Sequence, residues 1–327
     1  MFPRQASCVA AVVVASALAG CVAASVALAP SPVTLATGTP GGAYHAVGNA
    51  ICRMFNLPEE HQARPCVAVT SDGSAANIQR IERGESTFGL SQTDIAYAAF
   101  HGAGPFAGAG PDPKLRMLIA FYPEAFTVVA RADSGIRDFR DLRGKRLGVE
   151  MGGAGYAFTR DAILGAYGWT ISDFADVLQL DPGEQRQALC SGAVDALFFA
   201  AGHPNGVTQE VTAGCGARLV RIAGEPIGKL LATHPYYVAS VIPGGMYAGN
   251  PDDVPTIATQ AVLVTTSDQP DELAYAVVAA VFGHFADFRR LHPVLWASDM
   301  QDMVPAGDVM PIHPGALKYY REAGLVH

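Results

Sequence analysis

The chain has 327 residues, 50% of them hydrophobic and 16% charged, with a net charge of −8 and a pI near 5.5. That length suits roughly two domains with sizeable cores. The acidic balance excludes function classes that rest on Lys and Arg meeting phosphate, namely nucleic-acid binding and a basic membrane-surface patch.

Residues 1–30 read as a targeting segment. MFPRQAS carries one Arg and no acid, and an apolar run from Cys8 to Ala29 follows. This is the plan of a secretory signal peptide, so a periplasmic protein is expected. Its processing has three readings. Leu18-Ala19-Gly20-Cys21 matches a bacterial lipobox, which would make Cys21 the acylated residue of a lipoprotein. Ala27-Leu28-Ala29 offers an A-x-A cleavage site, although Pro30 follows it. The run is also long enough to stay as an uncleaved anchor.

The body opens with a strand ending in ATGTPGGAYHAVGNAI. Tyr44, Val47, Gly48 and Ile51 fall on one face of a helix. Gly38, Gly41 and Gly42 precede it and would let backbone N–H groups approach an anion. No Lys or Ser/Thr closes this run as a P-loop requires, and G-x-G-x-x-G is absent. PCVAV (65–69) then reads as a strand, SDGS (71–74) as a loop and AANIQRIER as a helix stopped by Gly84. STFGL is a short strand, and Ser91 and Asp94 form an S-x-x-D capping box before the helix IAYAAF.

LRMLIAFY and FTVVARA are apolar β-like runs, and IRDFRDLRGKRLGV reads as helix, Gly stop and strand. EMGGAGY opens the helix AFTRDAILGAYG. DVLQL, DALFFA and ARLVRI are strands separated by the helices EQRQALCSG and the one opened by AGHPN. A strand, TIATQAVLVTT, and a helical end, ELAYAVVAAVFGHFADF, follow. The recurrent strand–loop–helix alternation predicts an α/β fold with parallel sheets covered on both faces.

Small residues mark five strand-to-helix junctions: 38–42, 71–74, 91–94, 152–155 and 200–204. In open parallel sheets ligands bind beyond the carboxyl ends of the strands, which places a ligand at these junctions. The first three precede a boundary near residue 125 and the last two follow it. None contains Lys or Arg; Asp72, Asp94 and the nearby Glu150 are the ionised side chains. A ligand carboxylate would then be held by N–H groups, hydroxyls and helix dipoles, and a ligand amine by one of the acids.

Beyond the leader the cysteines are Cys52, Cys66, Cys190 and Cys215, an even number in an oxidising compartment, with three possible pairings. Near-neighbour pairing gives Cys52–Cys66 and Cys190–Cys215; buried free thiols are the alternative. FGLSQT lacks the G-x-S-x-G of a nucleophile turn, and no H-E-x-x-H or EF-hand loop is present. His45 and His203 belong to no ordered catalytic set. No enzyme, metal or cofactor is expected.

Several segments in order resemble the TAXI family, the solute-binding subunits of TRAP transporters: GTPGGAYHAVGNAICR, CVAVTSDGSAANIQRIERGE, FGLSQTDIAYAAF, LRMLIAFYPEAFTVVARADSGIRDFRDLRGKRLGV, QALCSGAVDALFFAAGHPNG and PIHPGALKYYREAG. The resemblance implies a type II periplasmic binding protein fold, two α/β lobes joined by crossing strands. Lobe one would be 31–125 plus 261–327 and lobe two 126–260, crossing near FTVVA and QAVLV. It implies a monomer that captures a small organic acid or amino acid, of the glutamate, glutamine or 2-oxoglutarate kind, and passes it to a TRAP membrane subunit. A ligand sensor docking on a signalling partner is the alternative. The family's ligand loops fall on Gly41, Gly42 and Tyr44; Ser71 and Asn77; Ser91, Gln92 and Asp94; Gly153, Ala154, Gly155 and Tyr156; and Ala201 and His203. Where many members have Ser-Gly-Thr, this chain has Ala154-Gly155-Tyr156. The family resemblance also favours the two local cysteine pairs.

Overall fold

The computed structural model describes residues 31–61, 63–150 and 154–326. The leader with Cys21, and Gly153 in the second cleft loop, lie outside the described residues; Ala154 and Gly155 enter only as helix backbone.

In chain order the first elements are β1 (Val33–Ala36), α1 (Ala43–Phe55), β2 (Cys66–Val69), α2 (Ser74–Glu82), β3 (Phe88–Gln92) and α3 (Thr93–His101). The long strand β4 (Leu115–Ala130) leads to β5 (Arg146–Glu150), α4 (Ala154–Ala166), β6 (Asp176–Leu180), α5 (Pro182–Ser191), β7 (Ala196–Ala201), α6 (Gly206–Cys215), β8 (Arg218–Val220), α7 (Glu225–Thr233) and β9 (Val238–Ile242). A second long strand, β10 (Val254–Thr266), precedes α8 (Asp271–Gly283), α9 (Phe285–Phe288) and α10 (Pro314–Glu322).

The strands form one sheet in the order β2-β1-β3-β10-β4-β7-β5-β6, with β8 on β4 and β9 on β10. Two halves share its centre. The first half of β4 pairs antiparallel with β10, and its second half pairs with β7 and β8. Conversely, the first part of β10 pairs with β9 and its later part with β3. Each half is therefore a parallel trio, β2-β1-β3 or β6-β5-β7, followed by a strand shared with its neighbour.

Four expectations change. The sheet is mixed, because β4, β8, β9 and β10 run antiparallel to their partners. LRMLIAFY and FTVVARA are one strand, since Pro123 interrupts the apolar run without ending the ladder. The helix expected in IRDFRDL is one 3-10 turn, Phe139–Leu142, closed by a capping box of Asp138 and Asp141. The Ser91–Asp94 box is not made. The Ser91 hydroxyl donates to the Gln92 carbonyl, Gln92 is the N-cap without a side-chain bond, and Asp94 accepts from the next N–H, that of Ile95. Ser91 belongs to the buried strand, so its side chain cannot turn to the helix end.

Sequence periodicity explains the packing. The α1 stripe of Val47, Ile51 and Phe55 is buried with Leu35, Phe88 and Val277 in one core. Gly48 lets α1 lie close to β1, for a Cβ there would stand 2.3 Å from Thr37 Cγ2. The other large core gathers Phe126, Phe139, Leu147, Ile163 and Phe198. The disulfides are Cys52–Cys66, 14 residues apart, and Cys190–Cys215, 25 apart. No helix among the described residues is long and apolar enough to cross a membrane.

Candidate functional site

The carboxyl ends of β1, β2 and β3 lead into α1, α2 and α3, and those of β5 and β7 into α4 and α6. The junctions of the two halves meet across β4 and β10. Asp94, at the start of α3, accepts a hydrogen bond from the Thr159 hydroxyl on α4, a second at 3.4 Å from the Tyr237 hydroxyl, and the Ile95 N–H at 2.8 Å. Gly104 lies so near the Phe158 ring that an added Cβ would stand 2.6 Å away. The cleft is shut.

Gly41 takes φ +84° with open space before it, so its turn needs glycine for conformation. Gly42 is the N-cap of α1, and its carbonyl accepts the N–H groups of His45 and Ala46. The Tyr44 hydroxyl donates to Glu124 Oε2 at 2.7 Å and lies 3.5 Å from Ser74 Oγ. Ser74 Oγ also accepts the Gln92 N–H at 3.1 Å.

Ser71 and Asn77 serve the frame. Asn77, fully buried, donates to the carbonyls of Thr37 and Leu90, and its Oδ1 accepts from the Ser71 hydroxyl. One amide thus ties the ends of β1 and β3 to the loop after β2. Ser71 Oγ also accepts the Gly73 N–H at 3.1 Å.

In the second half, Tyr156 donates to the Phe198 carbonyl, and burial pushes its phenol well above the ordinary value. Ala201 ends β7. His203 has both ring nitrogens engaged: Nε2 with Thr127 Oγ1 at 2.8 Å and Nδ1 with the Tyr247 hydroxyl at 2.6 Å. Thr127 donates to the Ala125 carbonyl at 3.0 Å and Tyr247 accepts the Asn205 N–H at 2.6 Å. That order fits a neutral imidazole carrying its proton on Nε2, and burial lowers the His203 pKa to about 4. His203 therefore braces the cleft wall through Tyr247.

Sequence reading missed Glu124, Ser74, Tyr122, Thr159, Tyr237 and Thr259. The signal for Glu124 was present: an acid inside the buried 16-residue strand LRMLIAFYPEAFTVVA. Glu124 is 8% exposed, and burial, then the charges of Asp94 and Glu150, push its pKa to about 8 despite the Tyr44 bond. Asp94 is raised to about 6 and Glu150 to about 7, each chiefly by burial. No ion pair joins any of the three to a basic side chain among the described residues. This arrangement can order a small polar molecule.

Two α/β halves, each a parallel trio plus a shared strand, with a cleft at their facing strand ends, define the type II periplasmic-binding-protein fold. The chain belongs to the NMT1-like family, whose model matches residues 35–324. Among solved structures, one from Bordetella bronchiseptica RB50 is similar with a TM-score of 0.51 at 12% identity, over 90% of this chain and 98% of that one. A TctC solute-binding protein from Polaromonas gives 0.49 at 16% identity, over 90% and 97%. The periplasmic aliphatic sulphonate-binding protein SsuA of Escherichia coli gives 0.47 at 13% identity, over 90% and 83%.

Proposed function

We propose that the protein is an extracytoplasmic solute receptor of the TAXI kind. It binds a small organic acid or amino acid in the cleft and delivers it to the membrane subunit of a TRAP transporter. The observation that carries this reading is the meeting of five strand-to-helix junctions across two shared strands, latched by the Asp94–Thr159 hydrogen bond. Lobe one is assigned to 31–125 plus 261–327 and lobe two to 126–260; the ladders change partner near Ala125 and Ala258, which supports that division. Gly41, Gly42, Tyr44, Gln92 and Gly153, with Ala154, Gly155 and Tyr156 at the start of α4, are assigned to the ligand surface. Ser71, Asn77, Ser91, Ala201 and His203 are assigned to its frame, and Asp94 to the latch. Opening and closing of the lobes would present different surfaces to the transporter.

Native mass spectrometry of the purified protein, followed by calorimetric titration, tests the reading. Stoichiometric capture of a small solute that is returned unchanged is the expected result. Turnover of the bound molecule would replace the receptor with an enzyme.

A further inference from the structure

We propose that the ligand carries a cationic nitrogen, an ammonium or guanidinium, which seats on Glu124 between the hydroxyls of Tyr122 and Thr259. This rests on the receptor reading above and narrows its ligand class.

Geometry carries the assignment. Thr259 on β10 stands opposite Glu124 on β4 in the antiparallel register, so their side chains leave the sheet on the same face. Tyr122 lies two residues before Glu124, at a β4–β10 register shift, near enough for the Glu124 charge to act on its phenol, and its ring lies against Gly202 just past β7. Tyr122 is 3% exposed and Thr259 0%. Neither hydroxyl has a hydrogen-bond partner among the described residues. Two buried hydroxyls without partners, beside a buried carboxyl with no basic neighbour in ion-pair contact, leave hydrogen-bonding capacity unfilled.

An ammonium supplies what is missing. It has three donors and no acceptor, matching one carboxylate and two hydroxyl oxygens. Tyr44 holds the Glu124 carboxyl from the first half, so it is ordered before a ligand arrives. Asp94 and Glu150 are further acids on either side of the cleft, and once ionised they would favour a cation between them. Arg160 on α4 is paired with Asp161 at 2.7 Å and does not cancel that field. A ligand with carboxylates alone would add like charge to this dry space. No group of three His, Cys, Asp or Glu side chains among the described residues could hold a metal ion, which favours an organic cation.

The test is calorimetry on the wild-type protein with matched probes. L-glutamate, L-glutamine, L-lysine, L-arginine and putrescine carry the cation; 2-oxoglutarate, glutarate and succinate do not. The tightest binder is expected in the first set, with its amine-free counterpart at least 100-fold weaker. Glu124→Gln should weaken that binder at least 30-fold while the thermal transition persists. An acid without nitrogen that binds as tightly, or an unchanged affinity in Glu124→Gln, overturns the assignment and leaves the receptor reading intact. If no probe binds, the solute released on denaturing the purified protein decides: a cationic one supports the assignment and any other overturns it. A protein that carries no solute and binds no probe overturns both readings.

Discussion

Asp94 and Thr159 are 65 residues apart in sequence and hydrogen-bonded in the closed cleft, one at the start of α3 and the other on α4. Thr159→Val keeps the shape of the side chain and removes the donated proton. A bond to a buried carboxyl group is worth roughly 1–3 kcal/mol, so the closed form should lose ground to more open ones. Small-angle scattering of the ligand-free variant should give a larger radius of gyration than wild type. Identical scattering curves would show that this bond does not hold the cleft shut.

Thermal stability should fall as pH rises. In the folded protein Asp94, Glu150 and Glu124 keep their protons up to about pH 6, 7 and 8, whereas the unfolded chain releases them near pH 4. Each group's contribution is therefore complete below its unfolded pKa and is lost as pH climbs through its folded one. His203 acts in the opposite sense: held neutral by burial, it loses its contribution as pH falls from its ordinary 6.5 through about 4. Melting temperatures measured without ligand should decline from pH 6 to pH 8.5, and Glu124→Gln should flatten the upper part of that slope. A flat wild-type profile across this range would contradict the burial of these acids.

Asn77→Ala should be among the costliest single changes in the first half. It removes the amide that donates to the buried carbonyls of Thr37 and Leu90 and accepts from the Ser71 hydroxyl, at about 1–3 kcal/mol for an unsatisfied group, while Ser71 Oγ keeps its 3.2 Å bond to the Thr37 carbonyl. Urea unfolding should show a loss of at least about 3 kcal/mol, with ligand affinity falling because three strand ends lose register together. A loss below about 1 kcal/mol would mean that the loops hold without this amide.

Tyr247→Phe separates bracing from ligand contact at His203. The substitution removes the hydroxyl that bonds His203 Nδ1 and the Asn205 N–H while leaving the ring in place. Stability should fall by roughly 1–3 kcal/mol, and affinity should fall with it because His203 loses its orientation. Unaltered affinity in a destabilised variant would place His203 outside the binding surface.

The two disulfides should contribute similar amounts. Loops of 14 and 25 residues imply about 3 kcal/mol each from restricting the unfolded chain. Cys52→Ser/Cys66→Ser and Cys190→Ser/Cys215→Ser should each lower the melting midpoint. A midpoint unmoved in either double variant would remove that cross-link from the stability of its half.

The alternation of strand, small-residue turn and helix was legible because each parallel trio repeats a local pattern. Glycines at Gly41 and Gly73, and apolar stripes such as Val47 and Ile51, announce themselves within a dozen residues. The crossing of β4 and β10 was not legible in the same way. Whether LRMLIAFY and FTVVARA are two strands or one depends on partners far along the chain, in β7, β8 and β10, which periodicity does not record. The cleft loops were found from their turn chemistry. The side chains that work between them, Glu124, Thr159 and Thr259, sit inside regular elements, where local pattern reads them as ordinary strand or helix positions. Asp94 shows the same limit: S-x-x-D fits a cap in sequence, yet Ser91 is committed to the strand and Asp94 to the opposite half.

Each disulfide begins and ends within one half of the sheet. Cys52 on α1 reaches Cys66 at the start of β2, and Cys190 on α5 reaches Cys215 at the end of α6. Drawn as a covalent graph, the molecule has two separate closed loops, one in each half, and the backbone passes between the halves twice, through β4 and β10. In the receptor proposed above, turning one half against the other would need torsional change in a few peptide units near Ala125 and Ala258. The work of that turn is the same with the sulfurs oxidised or reduced, so redox conditions set how firmly each body holds together without touching the joint.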